Sequence, residues 1–273
     1  MSLPHLMKIG IFDSGLGGLF LMKPVVEALP RYDYVYLGDM ANLPYGDKSQ
    51  EEIYRFTKRA LDYLFKNECT IVFVFCNTAS AMALRKLQHE GYRALGIIIP
   101  TVEEAHGKRI GVLATQSTVD SGKYPIEIKK LLPDAEVFQQ AAPKLVPMIE
   151  AGTVDYGTIQ QYLGPLLVRD IDTLILGCTH YGITKDRIKA VVPPNVHLIF
   201  QEEIIAPKIK DYLSRHPEIE TKLTKKGTRE FLLTKLFDFD DIHHPWLQNF
   251  GDLDRSSFRL IVLHDGGDRA TDR

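Results

Sequence analysis

The chain has 273 residues, a formal net charge of −2 and a sequence pI near 6.5. That balance lacks the basic excess a nucleic-acid or anionic-membrane partner demands, and the strongest apolar run, Ile71 to Phe75, is far too short to span a bilayer. With 45% hydrophobic and 25% charged residues, the composition is that of a soluble globular protein long enough for two domains.

In chain order, Lys8–Phe12 reads as a strand running into Asp13-Ser14-Gly15-Leu16-Gly17-Gly18. The dinucleotide pattern fails there, because Phe20 stands where the third glycine belongs, and no Walker lysine follows. The turn is read as bringing backbone N–H groups and the Asp13 and Ser14 side chains to a small anion. A plain helix cap by Asp13 or Ser14 is the alternative. Asp33–Leu37 is the next strand. Gln50–Asn67 has helical spacing, with Ile53, Phe56, Ala60, Leu61, Leu64 and Phe65 on one face. Further strands are predicted over Ile71–Phe75, Ala94–Ile99, Arg109–Ala114, Glu136–Gln139, Thr173–Leu176 and His197–Phe200. Pro193-Pro194 marks a turn, and domain boundaries are expected near Pro100 and Pro207. This alternation implies parallel sheets covered by helices.

Two strand ends share a pattern. Ile71–Phe75 runs into Cys76-Asn77-Thr78-Ala79-Ser80, and Thr173–Leu176 runs through Gly177 into Cys178-Thr179-His180-Tyr181. Ligand sites in parallel sheets lie outside the carboxyl ends of strands. A thiol there meets a helix N-terminus, which favours thiolate over the thiol of ordinary pKa about 8.5. A lone cysteine after a buried strand is usually a small buried hydrophobe, and Cys69 fits that description. A repeated strand–Cys–polar pattern argues otherwise for Cys76 and Cys178. No C-x-x-C is present, so a redox pair is the weaker reading. A metal at Cys178 and His180 would need further ligands that no second cluster supplies. The adjacent His243-His244 reads as surface. An odd cysteine count suggests reduced thiols in a cytoplasmic protein, and Met1 to Lys8 has no signal-peptide core.

These residues together resemble the aspartate/glutamate racemase family, in particular bacterial glutamate racemase. The resemblance rests on Phe12–Gly18, Leu37-Gly38-Asp39, Pro44-Tyr45-Gly46, Cys76–Ser80, Gly111–Thr115 with Thr118, Leu145–Glu150 and Leu176–Tyr181, seven motifs in order across Lys8 to Pro207. It implies an α/β fold of two doubly wound parallel-sheet domains facing across a central active-site cleft. Residues 1–99 and 207–273 would form the first and 100–206 the second. It also implies interconversion of L- and D-glutamate without cofactor or metal, supplying D-glutamate for peptidoglycan and hence cell wall and cell shape, by a cytoplasmic homodimer with no nucleic-acid or membrane partner. Carried over by position, Cys76 and Cys178 are the catalytic pair, assisted by Asp13 on one side and by Glu150 and His180 on the other. Asp13, Ser14, Pro44, Tyr45, Gly46, Cys76, Asn77, Thr78, Thr115, Thr118, Cys178, Thr179 and His180 are expected to bind substrate.

The chemistry fits such a pair, since racemisation removes the Cα proton from one face and returns one to the other. Asn77, Thr78 and Thr179 are expected to supply supporting donors. Other readings are racemisation of aspartate or a related amino acid on the same fold, or a binding protein that kept the cleft without turnover. Gln201-Glu202-Glu203 departs from the family's acidic-then-small turn, Phe231–Asp241 matches only loosely, and residues 250–273 align with nothing.

Overall fold

The computed structural model describes residues 7–236, 253 and 255–264. Its strands in chain order are β1 (Lys8–Asp13), β2 (Tyr34–Gly38), β3 (Cys69–Val74), β4 (Ala94–Gly96), β5 (Arg109–Ala114), β6 (Glu136–Ala141), β7 (Thr173–Gly177), β8 (His197–Ile199), β9 (Arg229–Leu233) and β10 (Phe258–Leu260). They form two sheets, ordered β10-β9-β2-β1-β3-β4 and β6-β5-β7-β8, with every pairing parallel. The alternation in the sequence predicts parallel sheets covered by helices, and the family resemblance implies the doubly wound α/β architecture seen.

The central strands are buried on both faces. β3, Cys-Thr-Ile-Val-Phe-Val, is buried at every position, and β1 at all but its first. Uninterrupted burial is what helices on both sides of a parallel sheet impose. Successive side chains point to opposite faces, so Ile9, Ile11, Ile71 and Phe73 pack with the helix Gly17–Ala28. Phe12, Val72 and Val74 pack with Ile53, Leu61 and Leu64 of the helix Gln50–Lys66. That helix starts at a capping box: the Ser49 hydroxyl accepts from the Glu52 N–H, and the Glu52 carboxylate accepts from the Ser49 N–H at 3.0 Å.

The order β2-β1-β3-β4 recurs as β6-β5-β7-β8. In each sheet the winding reverses beside the first strand, between β1 and β3 and between β5 and β7. Loops leaving such a reversal diverge and open a crevice. Asp13 ends β1 and Cys76 follows β3, and Thr115 and Cys178 hold the corresponding places after β5 and β7.

The connections between sheets differ from the sequence pattern. The strand predicted over Ala94–Ile99 stops at Gly96, and Ile98–Val102 forms a helical turn that carries the chain to the second sheet. Its β-branched run reads locally as strand, but Pro100 is tolerated in a first turn and the Thr101 hydroxyl donates to the Ile97 carbonyl at 2.7 Å. The chain returns after Phe200, and Pro207 lies inside the helix Gln201–Arg215, which packs on Gly17–Ala28. β9 then pairs with β2, and β10 with β9. The His243-His244 pair, Phe231–Asp241 beyond residue 236, and most of residues 250–273 lie outside the described residues.

Cys69 opens β3 with 1% exposure, and burial pushes its thiol up to about 12. It belongs to the core. Cys69→Ala is expected to leave turnover within about twofold while lowering unfolding free energy by about 1–2 kcal/mol in a denaturant titration. Lost activity at unchanged stability would give Cys69 a chemical role instead.

Candidate active site

The turn after β1 is built by close approach. The Gly18 N–H donates to Asp13 Oδ2 at 2.6 Å, and a Cβ on Gly18 would lie 2.5 Å from the Cβ of Asp13. A Cβ on Gly17 would sit 2.3 Å from Thr179 Oγ1 and 2.8 Å from His180 Nδ1. The glycines therefore let the first sheet's turn press against the Cys178 corner. Asp13 is fully buried, and its Oδ1 has no hydrogen-bond partner among the described residues. Burial pushes its carboxyl above the usual range, against the pull of His180 and the Gly18 N–H.

Cys76 caps the short helix Asn77–Met82. Its thiol donates to Ser14 Oγ at 3.1 Å, and the sulfur accepts from the Ala79 N–H at 3.4 Å. Burial pushes this thiol up to about 12, and the Asp13 carboxylate beside it adds to the rise. The N-terminal shift toward thiolate expected from the sequence is thus outweighed at Cys76, which is held as a thiol at neutral pH.

The second corner is charged differently. Cys178 Sγ lies 3.8 Å from His180 Nδ1, and His180 Nε2 lies 2.7 Å from Glu150 Oε1 at the end of the helix Leu145–Glu150. Burial alone would depress the imidazole pKa. Hydrogen bonds and the charges of Cys178 and Glu150 win, raising it well above normal. A protonated His180 therefore bridges the Cys178 sulfur and the Glu150 carboxylate. Thr179 Oγ1 donates across to Asp13 Oδ2 at 3.4 Å.

Between the corners lies a cavity of about 20 Å³, space for little more than one water. Its walls include Ser14, Pro44, Tyr45, Gly46, Cys76, Asn77, Thr78, Thr115, Cys178, Thr179 and His180, all expected from the sequence. Thr118 stands one layer back, bonded to Thr115 (2.9 Å) and Thr78 (3.3 Å). Asp13 stands behind the Ser14 turn, and Glu150 behind His180. Two expected side chains are otherwise engaged. The Tyr45 hydroxyl donates to Asp39 Oδ2 at 2.7 Å, and the Asn77 amide is bonded to Gln201 and Tyr124.

Sequence reasoning missed Leu43, Asp47, Pro143 and Val146 in the walls. It also gave no role to Asp39, which accepts from Tyr45, Asn42 and, at 2.7 Å, from Thr234 after β9. Asp39 stands in a motif already quoted, which was the available signal. Thr234 lies too far along the chain for any local pattern. A larger cavity of about 630 Å³ lies elsewhere, on the side of Phe73 and Ile98. It holds neither Cys76 nor Cys178, and its Lys123, Glu127 and Lys130 are paired with one another. Among the described residues no group of three or more His, Cys, Asp or Glu could hold a metal, and no helix is long and apolar enough to cross a membrane.

The family model for Asp/Glu/Hydantoin racemase matches residues 14–200. A glutamate racemase of Phenylobacterium zucineum is 40% identical over 263 residues, covering 84% of this chain and 92% of its own. That of Aquifex aeolicus is 41% identical over 216 residues, covering 76% and 84%. The crystal structure of glutamate racemase from Francisella tularensis in complex with D-glutamate superposes with a TM-score of 0.83 at 28% identity, covering 94% of this chain and 98% of that one.

Gly17 tests the geometry directly. Gly17→Ala must displace Thr179 and His180, and is expected to lower kcat/KM by about a hundredfold with the circular dichroism spectrum retained. A variant with wild-type rates would show that the contact does not set the site.

Proposed function

Because this chain belongs to the Asp/Glu/Hydantoin racemase family, we propose that it interconverts L- and D-glutamate by proton transfer at Cα between Cys178 and Cys76. The observation that carries this reading is the repeated topology: two cysteines at equivalent strand ends of two like-ordered sheets line one cavity. The similarity to glutamate racemases along most of the chain supports the substrate. The product would feed peptidoglycan synthesis in the cytoplasm, and the working form would be a homodimer.

In this reading Cys178, as thiolate beside the His180 imidazolium, takes the Cα proton of L-glutamate. The Cys76 thiol gives its proton to the opposite face, releasing D-glutamate. Cys178 is left as thiol and Cys76 as thiolate, the pair that runs the reverse reaction. Asp13 would assist Cys76, and Glu150 would hold the imidazolium in place. Backbone and hydroxyl donors around the cavity would stabilise the carbanion, more strongly once water is excluded. The cavity is too small for an amino acid, so the two halves must part to admit one.

A chiral assay of dialysed protein with L- and D-enantiomers of Glu, Asp and Gln decides the substrate. Glutamate is expected to racemise without added cofactor or metal, and preference for aspartate or dependence on a chelatable metal would overturn the reading. Cys76→Ser and Cys178→Ser are each expected to abolish net racemisation, because a hydroxyl is too weak a base near neutral pH. In deuterated water, Cys76→Ser should retain only a trace of Cα exchange with L-glutamate and Cys178→Ser only a trace with D-glutamate. Equal exchange of both enantiomers by both variants would rule out the two-base assignment.

Asp13→Asn and His180→Asn are expected to lower kcat by about 10²–10⁴-fold with KM changed far less, since both act on proton transfer. A rise in KM at constant kcat would make them substrate anchors.

A further inference from the structure

Beside Cys76 lies a buried cluster that the chemistry above does not use. Asn77 follows Cys76 directly. Its amide nitrogen donates to Gln201 Oε1 at 2.8 Å, and Gln201 Nε2 donates back to Asn77 Oδ1 at 2.9 Å. The Tyr124 hydroxyl donates to the same Asn77 oxygen at 2.7 Å. Gln201 Nε2 also reaches Thr101 Oγ1 at 3.0 Å and the Tyr124 oxygen at 3.3 Å. All four residues are buried.

Their places in the fold give the cluster its meaning. Thr101 sits in the turn that leaves the first sheet, and Gln201 begins the helix that returns to it. Tyr124 belongs to the helix Lys123–Leu131 of the second sheet's half. Asn77 begins the helix capped by Cys76. Each amide both donates to and accepts from the other, and a buried polar network of this kind fixes one arrangement. Only one of the four is the immediate neighbour of a cavity cysteine.

We propose that Gln201 is a positioning residue for proton transfer at Cys76: through the paired amides it fixes Asn77, and with Tyr124 and Thr101 it ties the orientation of the Cys76 corner to the closed arrangement of the two halves. It contributes no group to the cavity wall. Its effect falls chiefly on the Cys76 transfer, because the paired amide belongs to Asn77, which adjoins Cys76 in the chain, whereas Tyr124 reaches the Cys178 corner only by its ring packing on Gly177. This inference rests on the two-thiol reading.

Gln201→Glu keeps the shape of the side chain but loses the N–H donors to Asn77, Thr101 and Tyr124. It is expected to lower kcat/KM by about ten- to a hundredfold. The discriminating measurement is the primary deuterium isotope effect on kcat/KM with Cα-deuterated D- and L-glutamate, supplied separately. Misplacing the Cys76 corner makes the Cys76 transfer more rate-limiting. The effect with D-glutamate must therefore rise and that with L-glutamate fall toward unity. Tyr124→Phe removes one hydroxyl from the same oxygen and is expected to shift both effects in the same direction, by less. A role in general stability would lower the rate and leave both isotope effects unchanged, and that result, or an unchanged rate, would overturn the inference. Equal Cα exchange of both enantiomers by both the Cys76→Ser and Cys178→Ser variants would instead overturn the two-thiol reading.

Discussion

Across the seam between the two sheets, neutral polar groups take the place that water would fill. The Thr78 and Thr115 hydroxyls meet at 2.9 Å, the Ser117 hydroxyl donates to the Gly46 carbonyl at 2.6 Å, and Thr179 reaches Asp13. Hydroxyl hydrogen bonds of this type contribute only about 0.5–1.5 kcal/mol each, because water replaces them when they part. Around the small cavity these bonds by themselves hold the seam lightly. The apolar packing that holds each sheet to its helices is a different matter. Residues such as Ile9, Ile11, Val72 and Val74 are wholly buried, and Ile9 and Ile11 share one apolar cluster with Ile110 and Val112 of the second sheet.

The two cysteine corners are alike in topology and unlike in electrostatics. Cys76 is surrounded by neutral donors and the buried Asp13, and its environment favours the thiol. Cys178 faces an imidazole whose other nitrogen is anchored by Glu150. A symmetric scaffold thus surrounds one thiol with neutral donors and sets the other against an imidazole held by a carboxylate. The fold supplies two equivalent positions, and the neighbours at residues 13, 14, 150 and 180 make them differ.

Much of this was legible in the sequence because it is local. The strand ends carry the candidate side chains within one or two residues, so Asp13, Ser14, Cys76, Cys178 and His180 could be named from short runs, and Thr115 from the family resemblance. The helix Gln50–Lys66 announced itself by apolar spacing. The crossings between halves were not legible. Ile97-Ile98-Ile99 has strand composition, and only its place between two sheets makes a helical turn the better path. Gln201 appeared in the sequence merely as a departure from a family pattern. It and its partners at 77, 101 and 124 are spread over nearly half the chain, and no short window of residues contains them together. Thr234 supports Asp39 from equally far away, and the edge strand Phe258–Leu260 has too few residues to stand out.

The bond between Gln201 and Thr101 has a further meaning. The outgoing and returning segments of the backbone lie side by side where they leave the first sheet, joined at 3.0 Å. The stretch between them is therefore topologically an insertion whose two ends nearly coincide. A polypeptide with neighbouring ends can be excised, exchanged or grafted with little strain on what remains. The second sheet, with Cys178 and its imidazole, is in that sense an insert whose ends meet, and what such an insert must keep is the close fit of Thr179 and His180 to Gly17 across the seam.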